Sequence, residues 1–234
     1  MHGPRAVVEY LTFGVGVDDD DGGWGGATRP GPPFPIPLHF PPNVFRQANL
    51  DAFAGIVGRI RERISRDFGG GGDDDVACVE LYGGVGTIGL HVSDLVSDLV
   101  SSLVCSDENP NNGRCFADSV RSLPPDVQSR LAYRGKNAAD MIATELPLLR
   151  GCHVLIVDPP RKGLDVEVVD YLCREGWRGG NMKLVVYVSC GFRAFQRDCD
   201  ALMRSGRWKV AFAEGYLLSP GSDAIETLAF FVPV

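Results

Sequence analysis

The chain has 234 residues, 44% of them hydrophobic and 23% charged, and carries a formal net charge of −7. That composition lies near the globular average and excludes bulk disorder or a fibrous protein, and the length suits one domain with or without an appendage. No apolar run approaches the roughly 18 residues of a membrane-spanning helix, the N-terminal MHGPRAVVEY lacks a secretory pattern, and seven cysteines without a C-x-x-C pair argue against a disulfide framework or a zinc site.

Residues 1–42 are rich in Gly, Pro and Asp. Proline removes amides and glycine costs backbone entropy, so an irregular N-terminal arm is expected, with a short strand near Ala6 to Phe13. Residues 43–234 are expected to form the main domain. Helical spacing of Phe53, Ile56, Val57, Ile60 and Ile64 predicts a helix over 49–68, capped by Asn49, with Arg59, Arg61, Glu62, Arg63 and Arg66 around its polar side. A Gly/Asp linker covers 69–75. Asp18 to Asp21 and Asp73 to Asp75 supply seven carboxylates, so the rest of the chain is close to neutral. No basic surface is evident, which weighs against a nucleic-acid partner on composition alone.

From Val76 the pattern alternates. Strands are predicted at 76–81, 102–106, 131–134, 154–157 and 184–188, and helices at 87–100, 109–121, 138–146, 166–174 and 192–204. Two closing strands follow at 208–213 and 227–232. Such alternation predicts an α/β, Rossmann-like fold: a mostly parallel seven-stranded sheet with helices on both faces, binding ligands at the carboxyl ends of its strands.

Three strand ends carry chemistry. Gly84, Gly86 and Gly89 follow the first strand in G-x-G-x-x-G spacing, and Asp107 stands at the end of the second, 21 residues beyond Gly86. An acid there accepts hydrogen bonds from ribose hydroxyls, which suits NAD and S-adenosylmethionine equally. The fourth strand runs into Asp158-Pro159-Pro160-Arg161, a rigid extended turn. Asp-Pro-Pro at this place is similar to methyltransferases that act on bases. Those modifying exocyclic amino groups follow the prolines with an aromatic, and Arg161 points to different chemistry. The fifth strand ends at Cys190, at the mouth of the same cleft. The remaining cysteines, 78, 105, 115, 152, 173 and 199, are read as core residues.

Taken together, these motifs resemble the S-adenosylmethionine-dependent RNA uracil-5-methyltransferases of tRNA and rRNA, over roughly residues 43–234. Phe45-Arg46-Gln47-Ala48-Asn49 resembles the family's F-x-Q-x-N, and Glu80 to Thr87 its glycine-rich loop. Ser106 to Pro110 resembles its ribose-binding strand end, Asp158 to Leu164 its D-P-P-R-x-G-L, Ser189-Cys190 its S-C, and Ala224 to Thr227 its glutamate stretch. The resemblance implies that Gln47, Tyr82, Gly84, Gly86, Thr87, Asp107 and Asp158 line the S-adenosylmethionine site. It also makes Cys190 the nucleophile and Glu226 the base; on chemical grounds Asp158 is expected to hold the uracil edge as well, and Arg161 to bind phosphate or steady the carbonyl oxygen. The chain departs from the family at Gly191-Phe192 (usually Asn-Pro), at Ser222-Asp223 (often histidines) and at Gly83 (commonly cysteine). The family's N-terminal RNA-binding barrel has no counterpart in the sequence.

The chemistry needs these groups because carbon-5 of uracil is a poor nucleophile. A thiolate adding to carbon-6 makes carbon-5 electron-rich, and a base then removes the carbon-5 proton after methyl transfer. Cys190 is therefore expected to have a depressed pKa or a proton acceptor nearby. Phe192 and Tyr216 are candidates to stack on the base, with core packing as their ordinary role. The expected partner is tRNA or rRNA, with no membrane, no metal and a monomeric chain, in a reducing compartment, cytoplasmic or organellar. The alternative function is a catalytically inactive S-adenosylmethionine-binding or RNA-binding scaffold. A cytosine-5 enzyme would need a Pro-Cys turn where Pro160-Arg161 stand, and an NAD enzyme leaves the 158–161 turn without a role.

Overall fold

A computed structural model describes the chain except for residues 1–5, 14–30, 43, 45, 48, 70–75, 98–99, 175–179 and 219–224. Both aspartate runs, Phe45, Ala48, Ser222, Asp223 and Ala224 lie outside the described residues, as does most of the expected linker.

Two short strands, β1 (Val7–Glu9) and β2 (Leu38–Phe40), pair antiparallel with Val7 opposite Phe40. Helix α1 (Leu50–Phe68) begins where the side chain of Asn49 accepts from the Ala52 amide at 3.0 Å, the expected cap. The main body then runs β3 (Val76–Leu81), α2 (Thr87–Val92), β4 (Val100–Ser106), α3 (Asn112–Val120), α4 (Pro125–Gln128), β5 (Leu131–Arg134), α5 (Ala138–Thr144) and α6 (Leu146–Gly151). It closes with β6 (Val154–Val157), α7 (Val166–Cys173), β7 (Leu184–Ser189), α8 (Phe192–Arg204), β8 (Trp208–Tyr216) and β9 (Glu226–Pro233). The seven-stranded sheet has the order β5-β4-β3-β6-β7-β9-β8, with β9 antiparallel to both its neighbours and the other pairings parallel. This is the expected architecture.

Alternation along each central strand builds a core on both faces of the sheet. Val154, Ile156, Leu184, Val186 and Val188 join α1, α2, α3 and the N-terminal segment on one face. Leu155, Val157, Val185 and Tyr187 join α5, α6, α7 and α8 on the other. Sheets buried on both faces read as near-continuous apolar runs, which is how these strands read.

Several boundaries differ from the sequence reading, each for a local reason. The helix expected over 87–100 ends at Val92 and passes into a 3-10 turn, Ser93–Ser97. Ser93 donates its hydroxyl to the Leu90 carbonyl, and the Arg61 guanidinium takes the His91 carbonyl and the Asp94 carboxylate. Arg61, expected on the polar side of α1, is thereby buried. The helix expected from 109 starts at Asn112, because Asp107 and Asn109 accept from the Asn109 and Asn111 amides in successive local turns. The helix expected over 138–146 splits at Glu145, since Pro147 cannot continue the ladder of α5. The expected arm is not wholly apart from the domain: Leu11, Ile36, Leu38 and Phe40 belong to its core.

Candidate active site

The sheet reverses its order between β3 and β6, and the carboxyl ends of the strands around that point open on a cavity of about 650 Å³. Gln47, Tyr82, Gly84, Thr87, Asp107, Asp158, Cys190 and Glu226 all line it. Eight residues expected from six separate segments of sequence are thus brought together. Gly86 and Arg161 do not line this cavity.

The glycine turn explains Gly86. It precedes α2 with φ +82°, a left-handed conformation, and a Cβ there would stand 2.6 Å from the Phe116 ring. Its part is to let the turn close over α3. Gly84 has φ +57° and nothing within 4 Å of the Cβ position, so its missing side chain leaves open space in the cavity wall. Its peptide groups are fixed on both sides. The amide donates to Asp107 Oδ2 at 3.1 Å, and the carbonyl accepts from the Tyr133 hydroxyl at 3.1 Å. Asp107 Oδ1 accepts from the Asn109 amide and from Asn112 Nδ2, at 2.8 and 3.0 Å. An open glycine cradle beside an oriented carboxylate fits an adenosyl ligand whose ribose hydroxyls need an acceptor.

Tyr82 is held in a left-handed conformation, φ +59°. Its hydroxyl donates to Asp165 Oδ2 at 3.1 Å and accepts from the Asp165 amide at 3.0 Å, which ties the end of β3 to the start of α7. Burial and the Asp165 carboxylate push its phenol pKa up.

At the other end of the cavity the acids cluster. Cys190 follows β7 directly, and Glu226 opens β9 beside it, because Ser189 pairs with Thr227 in the antiparallel register. Glu226 is buried and its carboxyl pKa is raised to about 7 by loss of solvent. Asp158 is raised well above the usual range by desolvation and by the Glu226 and Glu80 carboxylates. Cys190 is half-buried, so its sulfur is neither sealed in the core nor fully exposed. Its thiol is pushed up by desolvation and by Glu226 and Asp158, with Arg161 opposing. The expected depressed thiol is therefore corrected: two carboxylates beside the sulfur disfavour the thiolate. A group able to take the thiol proton lines the same cavity: Glu226, whose carboxyl pKa is raised to about 7.

Arg161 stands one residue outside the cavity, lining a second hollow with Gly191, Phe192, Arg193, Ala194 and Ile225. Phe192 lies there too, exposed rather than packed in the core, whereas Tyr216 is partly buried against the α1 face. Among the described residues no group of three or more His, Cys, Asp or Glu side chains is placed to hold a metal ion.

The sequence reading left Glu80 without a role of its own. It lies at the base of the cavity, fully buried, and accepts from the Gly89 amide at 3.2 Å. Burial raises its pKa to about 7. Its signal was an acid inside an otherwise apolar strand, VACVEL. Asn137 is a second omission. It caps α5 by accepting from the Asp140 amide at 2.7 Å, and it lines the cavity as well.

Comparison with protein families gives no match to a family profile. Individual curated proteins do match. Over 196 residues, 84% of this chain, it is 32% identical to a protein of Protochlamydia amoebophila named an uncharacterized RNA methyltransferase, of which it spans 45%. Over 201 residues it is 24% identical to a 23S rRNA (uracil(1939)-C(5))-methyltransferase, RlmD, of Burkholderia thailandensis, covering 86% of this chain and 41% of that one. The chain thus spans less than half the length of these curated relatives. Among solved structures it shares its fold with a SAM-dependent methyltransferase from Agrobacterium tumefaciens, at a TM-score of 0.59 and 12% identity over 86% of this chain and 67% of that one.

Proposed function

With the chain standing as a relative of curated RNA methyltransferases on a methyltransferase fold, we propose that it methylates carbon-5 of a uridine in tRNA or rRNA, through a covalent adduct on Cys190. The observation that carries this reading is the opening of Cys190 and Glu226 on one cavity with the Gly84 cradle and Asp107. S-adenosylmethionine is the methyl donor that fits that cradle, and when bound it supplies an electrophilic methyl group.

The residues then divide the work. Asp107 accepts from the ribose hydroxyls, and the open space at Gly84 admits the adenosine. Cys190 gives up its proton to Glu226, which releases it to water, and its sulfur bonds to carbon-6 of uracil, which moves the ring electrons to carbon-5. After carbon-5 has gained the methyl group, Glu226 takes the carbon-5 proton. The electrons of that C–H bond restore the ring double bond as the C–S bond breaks. A carboxyl group with a pKa near neutrality is well matched to such a transfer. Asp158, whose burial favours the protonated form, donates a hydrogen bond to a uracil carbonyl oxygen as charge develops there.

The test uses transcribed tRNA and rRNA fragments containing 5-fluorouracil with S-adenosylmethionine. Fluorine cannot be abstracted as a proton is, so the chain is expected to stall as a denaturation-resistant RNA adduct, absent from Cys190→Ala. No adduct with any fragment, while S-adenosylmethionine still binds by calorimetry, would overturn the covalent mechanism and favour a cofactor-binding scaffold.

A further inference from the structure

Beside the main cavity lies the second hollow, about 400 Å³ in volume. Three of its walls adjoin residues of the main cavity along the chain. Gly191 follows Cys190, Ile225 precedes Glu226, and Arg161 follows Pro160. One step of backbone, about 3.8 Å between consecutive Cα atoms, separates the hollow from a residue of the main cavity on each of these sides, and that residue is Cys190 on one and Glu226 on another.

The hollow is furnished unlike the rest of the surface. Phe192 is 55% exposed although it opens a helix that buries Phe195 and Leu202. Its ring leans on Phe195 at 6.4 Å between centroids, which steadies it while much of it faces water. Two arginines flank it. Nearby cations are committed elsewhere, Lys162 to Asp165 at 2.6 Å and Arg197 to Asp198 at 2.8 Å. Among the described residues, neither Arg161 nor Arg193 has a carboxylate partner, and both are exposed. In a chain of net charge −7, an uncompensated pair of guanidinium groups beside a bare aromatic ring complements a single-stranded polynucleotide. Base stacking on an aromatic and phosphate contact with arginine are the two terms of such binding.

We propose that this hollow receives the nucleotide adjoining the target uridine, its base against Phe192 and the connecting phosphate on Arg161 and Arg193. The inference rests on the RNA-directed reading above. It gives Phe192 a place next to the reacting base rather than over it.

Titration of fluorescein-labelled nonauridylate with the full chain, followed by anisotropy at several salt concentrations, tests it. Phe192→Ala is expected to bind roughly tenfold more weakly, and Phe192→Trp within about twofold of the parent. Arg193→Gln is expected to flatten the slope of log affinity against log salt by about 0.7, the loss of one single-strand phosphate contact. Calorimetric binding of S-adenosylmethionine is expected to be the same in all three variants. Unchanged RNA affinity and salt slope in Phe192→Ala and Arg193→Gln would overturn this inference and leave the methyltransferase reading standing. A parent chain that binds S-adenosylmethionine but no nonauridylate would overturn the subsite. One that fails to bind S-adenosylmethionine would overturn the reading itself and the subsite with it.

Discussion

The carboxyl of Glu226 acts on the thiol of Cys190, and the direction is set by charge. Glu226 raises the thiol pKa, so removing its charge favours the thiolate. In Glu226→Gln the pH midpoint for alkylation of Cys190 by iodoacetamide, followed on its own peptide by mass spectrometry, is expected to fall. In Arg161→Met, which removes the one cation that opposes the carboxylates, it is expected to rise. Methyl transfer in the unsubstituted chain should climb as pH passes through about 7, where Glu226 loses its proton, and continue upward as the thiol ionises. Gly83 shows a different kind of coupling. A Cβ there would meet Cys105 Sγ at 2.5 Å. The family's common cysteine at this position is thus replaced by a glycine with a cysteine side chain from β4 in the space above it.

At the scale of elements, the turns that carry the site are anchored by buried polar groups. Asp198 on α8 accepts from the Leu164 amide and the Tyr187 hydroxyl, both at 2.8 Å, and so ties the loop after Pro160 to β7 and α8. Asp198→Ala would leave both donors without a partner in the core, and urea denaturation is expected to show a loss of about 2–4 kcal/mol. Gly86→Ala is expected to cost about 2 kcal/mol from its positive φ and from the Phe116 contact, and to weaken S-adenosylmethionine binding in calorimetry. Much of this level was legible in the sequence. The central strands are apolar runs, and the residue that directly follows β3, β4, β6 and β7 lines the cavity, so chain order alone located Asp107, Asp158 and Cys190. What could not be read was how helices end and which charges are buried. Arg61 carries the same helical spacing as its exposed neighbours, and only the approach of Asp94 from another segment draws it inside. Glu80 was hidden for a related reason. Its partner amide, on Gly89, comes from the helix that the glycine turn folds back over the strand.

For the molecule as a whole, the N-terminal segment is part of the cavity wall. Glu9, Leu11, Leu38 and Phe40 wall the main cavity, and Leu38 is 1% exposed. Phe40→Ala is expected to cost about 3 kcal/mol in denaturation experiments and to lower affinity for S-adenosylmethionine in the same variant. The acids of the cavity also give the fold a pH dependence. Glu80 and Glu226 hold protons to about 7 in the folded chain, against an ordinary value of 4.5. Their stabilising contribution is complete below about pH 4.5 and lost as pH rises through 7. The urea midpoint is expected to fall between pH 5 and pH 8, and the fall to be shallower in Glu80→Gln combined with Glu226→Gln. The reversal of direction at β9 has a consequence for how freely the chain can vary. Because Thr227 is locked opposite Ser189, the spacing between sulfur and carboxylate is a property of two hydrogen-bonded ladders and not of the connection that joins β8 to β9. Residues added to that connection would leave the pair facing each other. Deleting a single residue between Thr227 and Val232 would turn the side chains on one side of the cut, the glutamate among them, to the opposite face of the ribbon.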